Sequence, residues 1–282
     1  MKKYLRYADG MVLLFGALAM LLRIWLLRQG TDARGLYPRG HISMILLTLL
    51  VPLVLGALWL LTQHAGNNKS YRANFPASPI AAAGIALGGL SIGYIAYDLL
   101  GRDGVLAPLT GVAGLIAAAA LLLCVPARLQ GKRQNYISLL LCCVFFALRL
   151  FYMGQELGAE PEMHRYLPRF LVSIAVIPAV YLLWGFCVGE GNRKYCLLFC
   201  LSTAFLALAA VPGSQEWPMY LGIAFWMLTG MPVLKDLPRQ TKEDSPLSVQ
   251  EVQETPPEEE APDDLDVEQI LAELLQDTQS PE

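Results

Sequence analysis

The 282 residues are 55% hydrophobic and only 16% charged, with a mean hydropathy of +0.45, whereas an ordinary soluble domain carries about 25% charged residues. The net charge of −3 averages two opposite parts: residues 1–235 hold 19 Lys and Arg against 9 Asp and Glu, and residues 236–282 hold 2 against 15. A bundle with a surplus of ten positive charges thus carries an arm with a surplus of thirteen negative ones, which excludes a uniform soluble domain and leaves the overall pI of 5.7 describing neither part.

Apolar runs of roughly 17–25 residues are long enough to cross the hydrocarbon core as helices. Eight such runs are read, at about 10–28, 42–63, 78–98, 105–125, 136–153, 169–188, 195–211 and 217–234. Lipid offers no partner to unpaired backbone groups, so the runs are expected to be helical and the fold an all-α polytopic bundle over residues 1–235. Seven spans is the alternative count, because 78–98 and 105–125 are separated by few residues. Lys2, Lys3 and Arg6 followed by Ala17-Leu18-Ala19 resemble a signal peptide, but the apolar run continues through Leu22, Ile24, Trp25 and Leu27. The first run is therefore read as an uncleaved helix.

With the N-terminus in the cytoplasm and eight alternating helices, 13 Lys and Arg fall in cytoplasmic segments and 6 in outer ones. The positive-inside bias then places both termini in the cytoplasm and the protein in the plasma membrane. None of the six cysteines falls in an outer loop, so no disulfide framework is expected. Cys196 and Cys200, four residues apart, share a helix face, with Cys187 nearby. No His or acid completes a ligand set, so they are read as small apolar residues, with no metal and no cofactor.

The third run carries Gly84/Gly88 and Gly89/Gly93, and the fourth carries Gly111, Gly114 and Ala117 to Ala120. Small-xxx-small rows let helix backbones approach closely, which predicts a tight hairpin of these two helices at the bundle centre. Pro52 and Pro178 lie inside the second and sixth runs and are expected to kink them. Paired marks recur at an offset of 126 residues, at Arg23/Arg149 and Pro52/Pro178, with Trp59 and Trp184 nearly in step. Two parallel four-helix repeats are one reading of these marks, and coincidence is the other.

Charged residues inside the bilayer are costly and mark candidate sites. Arg23, Tyr94, Asp98, Arg149 and Tyr152 fall toward one predicted outer face and form a candidate ligand pocket for an anion such as a carboxylate or a lipid headgroup. Arg149 is expected to pair with Asp98 or Glu156. The structural alternative is snorkelling arginines within an interfacial aromatic belt. No H-E-x-x-H, G-x-S-x-G or phosphate-loop pattern occurs, so no catalytic residue is assigned and no nucleic-acid partner is expected.

Residues 236–262 are rich in Pro, Glu, Gln, Ser and Thr and are expected to form a disordered acidic linker. Residues 263–277 form a short amphipathic helix in this reading. Val267, Ile270, Leu271, Leu274 and Leu275 repeat at helical spacing as one apolar stripe, and Asp266 with Gln269 resembles a capping box. Three turns are marginal alone, so the stripe is expected to fold on binding to a cytosolic partner; the alternatives are docking on the chain's own basic loops near Arg128, Lys132 and Arg133, and a disordered end with no role. Residues 278–282 are read as a disordered end. The resulting expectation is a non-enzymatic multi-pass protein in the lipid bilayer whose tail recruits or signals to a cytosolic protein. The alternative is a small-solute transporter built from the two repeats, and a lipid-processing enzyme is a distant third.

Overall fold

The structure is a computed structural model and describes residues 5, 7–28, 42–66, 68–159 and 163–234. Its elements are all helices: α1 (Ala8–Arg28), α2 (Ile42–Thr62), α3 (Tyr71–Asn74), α4 (Pro79–Leu100), α5 (Leu106–Leu122), α6 (Val125–Leu129), α7 (Tyr136–Ala159), α8 (Met163–Val188), α9 (Arg193–Ala210) and α10 (Trp217–Gly230). Contacts divide the chain into Met1–Arg239 and Gln240–Glu282. The linker 236–262, the amphipathic stretch 263–277 and the end 278–282 lie outside the described residues.

Seven helices are long and apolar enough to cross a membrane: α1, α2, α4, Leu106–Leu129, Tyr136–Gln155, Leu167–Val188 and α9. The stretch expected as an eighth span forms the 14-residue α10, about 21 Å long at 1.5 Å per residue, against a hydrocarbon core of about 30 Å. Its early end has a local cause. Met231 is extended, with φ −67° and ψ 163°, as expected for the residue before Pro232, whose ring excludes the helical conformation from its neighbour. Another break separates α5 from α6, where Pro126 sits in the first turn of α6 and removes one backbone donor. By contrast, α2 and α8 run unbroken through Pro52 and Pro178.

The centre of the bundle is α9 rather than the expected α4–α5 hairpin. Of its apolar stretch 72% is buried, against 11% for α2, and it packs against α1, α2, α8 and α10. It is the least apolar of the seven, and the ordering is physical. A helix shielded by protein can carry Ser202 and Thr203 on its surface, whereas a helix facing lipid must be apolar all round.

The glycine rows do bring backbones together, but with two partners. A Cβ at Gly89 would lie 3.1 Å from Leu122 of α5, and one at Gly88 would lie 3.0 Å from Trp226 of α10. The Gly89/Gly93 row therefore seats α5, while Gly84/Gly88 seats α10. α4 thus sits between α5 and α10, with α5 as its most extensive neighbour. The α4–α5 pairing has a counterpart in α9–α10, but the other neighbours differ: α9 also contacts α1, α2 and α8, whereas α4 also contacts α6 and α10.

The elements run up and down, so the bundle has two ends. At one end Phe75 packs on Phe186 at 5.1 Å, and Arg193 donates to the carbonyls of Gly66 at 3.2 Å and Val233 at 2.6 Å. The Val233 N–H donates to the Asn74 carbonyl at 3.0 Å. Lys69, Arg72, Arg128, Lys132, Arg133, Arg193 and Lys194 gather at this end, with Asp9 and Glu190 as its described acids. We call it the basic end. The far end joins the C-terminus of α1, the N-terminus of α8 and the α9–α10 turn.

Candidate functional site

The far end holds a buried ionic cluster. α9 stops at Val211, where Pro212 follows, and Gly213 turns the chain at φ +71°. A side chain there would be strained by this backbone conformation and would also meet Leu27 of α1, 2.7 Å from a Cβ. The Glu216 N–H then donates to Ser214 Oγ at 3.1 Å. This local bond helps hold Glu216 at the N-cap of α10 with its side chain directed inward.

The Glu216 carboxylate receives two donors on one oxygen. Arg149 of α7, fully buried, donates from Nη2. Tyr220, one helical turn beyond Glu216, donates from Oη at 3.1 Å. Burial alone would raise the carboxyl pKa of Glu216, but the charge of Arg149, then that of Arg169, and the Tyr220 hydrogen bond outweigh it and hold it below the ordinary carboxylate range. Its position at a helix N-terminus acts in the same direction. Arg169 of α8 also donates to the Gly213 carbonyl at 3.4 Å, so α7, α8 and the α9–α10 turn meet around one carboxylate. Nε and Nη1 of Arg149 are enclosed without a hydrogen-bond partner.

Chemically this arrangement is a lock. A buried ion pair contributes little net stability over an apolar replacement, but removing either partner strands a charge. It differs from the expected pocket. Arg149 pairs with Glu216 rather than with Asp98, and the Glu156 side chain lies outside the described residues. Asp98 instead accepts from Arg102 at 2.8 Å, and Arg102 Nη1 donates to the Tyr152 hydroxyl at 3.1 Å. Asp98 and Tyr152 are thus joined through Arg102, on the rim. Burial disfavours the Arg102 charge, but the hydrogen bonds it donates to Asp98 and Tyr152 prevail and raise its pKa above the ordinary value. Arg23 is buried within α1, and Tyr94 is 59% exposed. Tyr94 lines an open apolar groove of about 530 Å³ with Leu13, Leu90, Leu221, Phe225 and Leu228, and neither Arg149 nor Glu216 reaches it.

Glu216, Tyr220 and Arg169 were not among the expected site residues. The only signal was the four-residue spacing of Glu216 and Tyr220, and nothing local ties either to Arg149. Sγ of Cys196 and Sγ of Cys200 lie 4.0 Å apart, both buried. Among the described residues no group of three or more His, Cys, Asp or Glu is placed to hold a metal ion. The stripe Val267, Ile270, Leu271, Leu274 and Leu275 lies outside the described residues. No family model, curated protein or solved structure matches this chain.

Proposed function

We propose that this is a non-enzymatic plasma-membrane protein whose bundle anchors an acidic cytoplasmic tail that recruits or signals to a cytosolic protein. The observation that carries the reading is the attachment of Val233 at the basic end, by its N–H to Asn74 and its carbonyl to Arg193. The acidic arm begins three residues later, so it starts from the end that collects Lys69, Arg72, Lys132, Arg133 and Lys194. By the positive-inside bias this end faces the cytoplasm, which supports the sidedness of the tail. The same attachment supports eight crossings. Glu216 sits at the far end and Val233 at the basic end, and about 21 Å of helix plus three non-helical residues of about 3.3 Å each covers the hydrocarbon thickness. In this reading the segment crosses as α10 and the non-helical Met231–Val233, although α10 alone is too short.

An anionic-solute transporter is the weaker reading, because the Arg149 charge is already matched by Glu216, Asp98 and Tyr152 lie on the rim, Tyr94 lines the apolar groove and Arg23 is buried within α1. The test has two arms. A protease added to inside-out vesicles should remove residues 236–282, and one added to right-side-out vesicles should not. In detergent extracts, the intact chain should retain a soluble protein that both a 243–282 deletion and a Leu271→Asp/Leu274→Asp variant lose. Cleavage only from the outside overturns the sidedness, and equal retention by all three chains overturns recruitment by the stripe.

A further inference from the structure

The basic end contains a buried cation that has no counter-charge among the described residues. Arg128 lies in the short α6, where the span Leu106–Leu129 meets the membrane surface. Its side chain is only 3% exposed. The guanidinium rests over the Phe75 ring, 5.2 Å from its centroid, and Phe75 is itself held between Tyr71 at 4.9 Å and Phe186 at 5.1 Å. Nε and Nη1 of Arg128 are enclosed without a hydrogen-bond partner, and among the described residues no carboxylate forms an ion pair with it. The acid of this end that forms an ion pair, Glu190, is 3.3 Å from Lys69. The Arg128 guanidinium also hydrogen-bonds the Tyr71 side chain, but burial pushes the Tyr71 hydroxyl pKa up to about 12, so it remains neutral and supplies no negative charge.

A guanidinium removed from water needs an anion, because stacking on an aromatic face repays only part of the lost hydration. Arg presents a planar fork of donors that matches the oxygens of a carboxylate or phosphate. Lys132 and Arg133 follow four and five residues later, both exposed, and would complete a positive rim around the buried group. The depth is that of phospholipid phosphates, at the end of a membrane span, and basic pockets between helices at this level suit anionic headgroups.

We infer that Arg128, backed by Phe75 and rimmed by Lys132 and Arg133, binds the phosphate of an anionic phospholipid. The phosphodiester accepts from the unpartnered nitrogens of Arg128, Nε and Nη1, and the two exposed cations hold its remaining charge near the surface. The site does not depend on which side of the membrane the basic end faces, nor on the tail.

The experiment is native mass spectrometry of the full-length protein in detergent, titrated with phosphatidylglycerol and, separately, with phosphatidylcholine. Selective retention of phosphatidylglycerol is expected, and Arg128→Gln should weaken it about tenfold, the loss of one charge-assisted hydrogen bond. Arg128→Lys keeps the charge but not the fork and should fall between the two. Should Arg128→Gln not fold, Arg128→Lys and Phe75→Leu carry the test, each with reduced retention. Equal retention of the two lipids overturns the inference, as does loss in Lys132→Gln/Arg133→Gln with none in the Arg128 variants, which would mark a diffuse surface effect. A thermal-shift arm with inorganic phosphate separates the sources: stabilisation by phosphate equal to that by the lipid assigns the site to a free anion and overturns the lipid. Displacement of bound lipid by an equimolar poly-glutamate peptide would assign it to an acidic peptide, with the same consequence.

Discussion

The two ends of the bundle bury arginine in opposite ways. At the far end Arg149 meets Glu216 and Tyr220, so the chain supplies its own counter-charge across 67 residues of sequence. At the basic end Arg193 donates to two backbone carbonyls, and Arg128 is met by the Phe75 ring and the Tyr71 hydroxyl, with no acid against it among the described residues. The first arrangement closes a structure around a fixed pair. The second leaves positive charge with no acid against it among the described residues. Identical side chains thus close the structure at one end and are left unmatched at the other, and the difference lies in whether an acid is folded against them.

The largest test of this contrast is at the far end. Arg149→Ala or Glu216→Ala should destabilise the bundle by about 3–5 kcal/mol, whereas the double replacement Arg149→Met/Glu216→Leu should recover most of the loss. Thermal unfolding in detergent reads both, and additive losses in the double variant would sink the lock. The pair also carries a pH signature. Because the folded pKa of Glu216 is lowered, its contribution is complete above the ordinary Glu value of about 4.3 and is lost as pH falls through the lowered value. Glu216→Gln should remove that acid dependence.

A smaller effect is expected at Arg193. Arg193→Met removes two charge-assisted hydrogen bonds, each worth about 1.5–3 kcal/mol, and should expose Val233–Leu234 to protease before the rest of the bundle unfolds. Global unfolding with no earlier cleavage would show that Arg193 supports α9 rather than the chain exit. The smallest effect belongs to Lys69–Glu190, whose side chains are 56% and 81% exposed. Lys69→Ala should change stability by less than about 1 kcal/mol, and a larger loss would mean that surface charge at the basic end stabilises the bundle as well as attracting partners.

Much of the helix layout was legible in the sequence, because apolar length and all-round hydropathy are local properties. The first seven runs match helices within a few residues at most boundaries. The eighth was read as longer than α10 because its apolar composition continues past Met231-Pro232, where backbone sterics rather than hydropathy end the helix. The glycine rows announced close approach, but a small side chain does not say which helix will fill the space, and Gly84 and Gly88 receive α10 instead of α5. The centrality of α9 was hidden because shielding by neighbours is a tertiary property, to which only its weaker hydropathy points. Arg149 was recognisable as a charge in need of a partner. The partner was not, since Glu216 stands in a polar turn where an acid is unremarkable until α7 is folded against it.

The attachment of Val233 also has a mechanical side. Any partner that pulls on the arm pulls first on the short segment after α10, not on α10. Val233 in that segment is hydrogen-bonded to Asn74 and to Arg193, and Arg193 begins the most deeply packed of the candidate spans. The junction therefore acts as a strain relief: tension is passed sideways into α9 and the α2–α4 connection, and α10 is spared from unravelling out of the bundle.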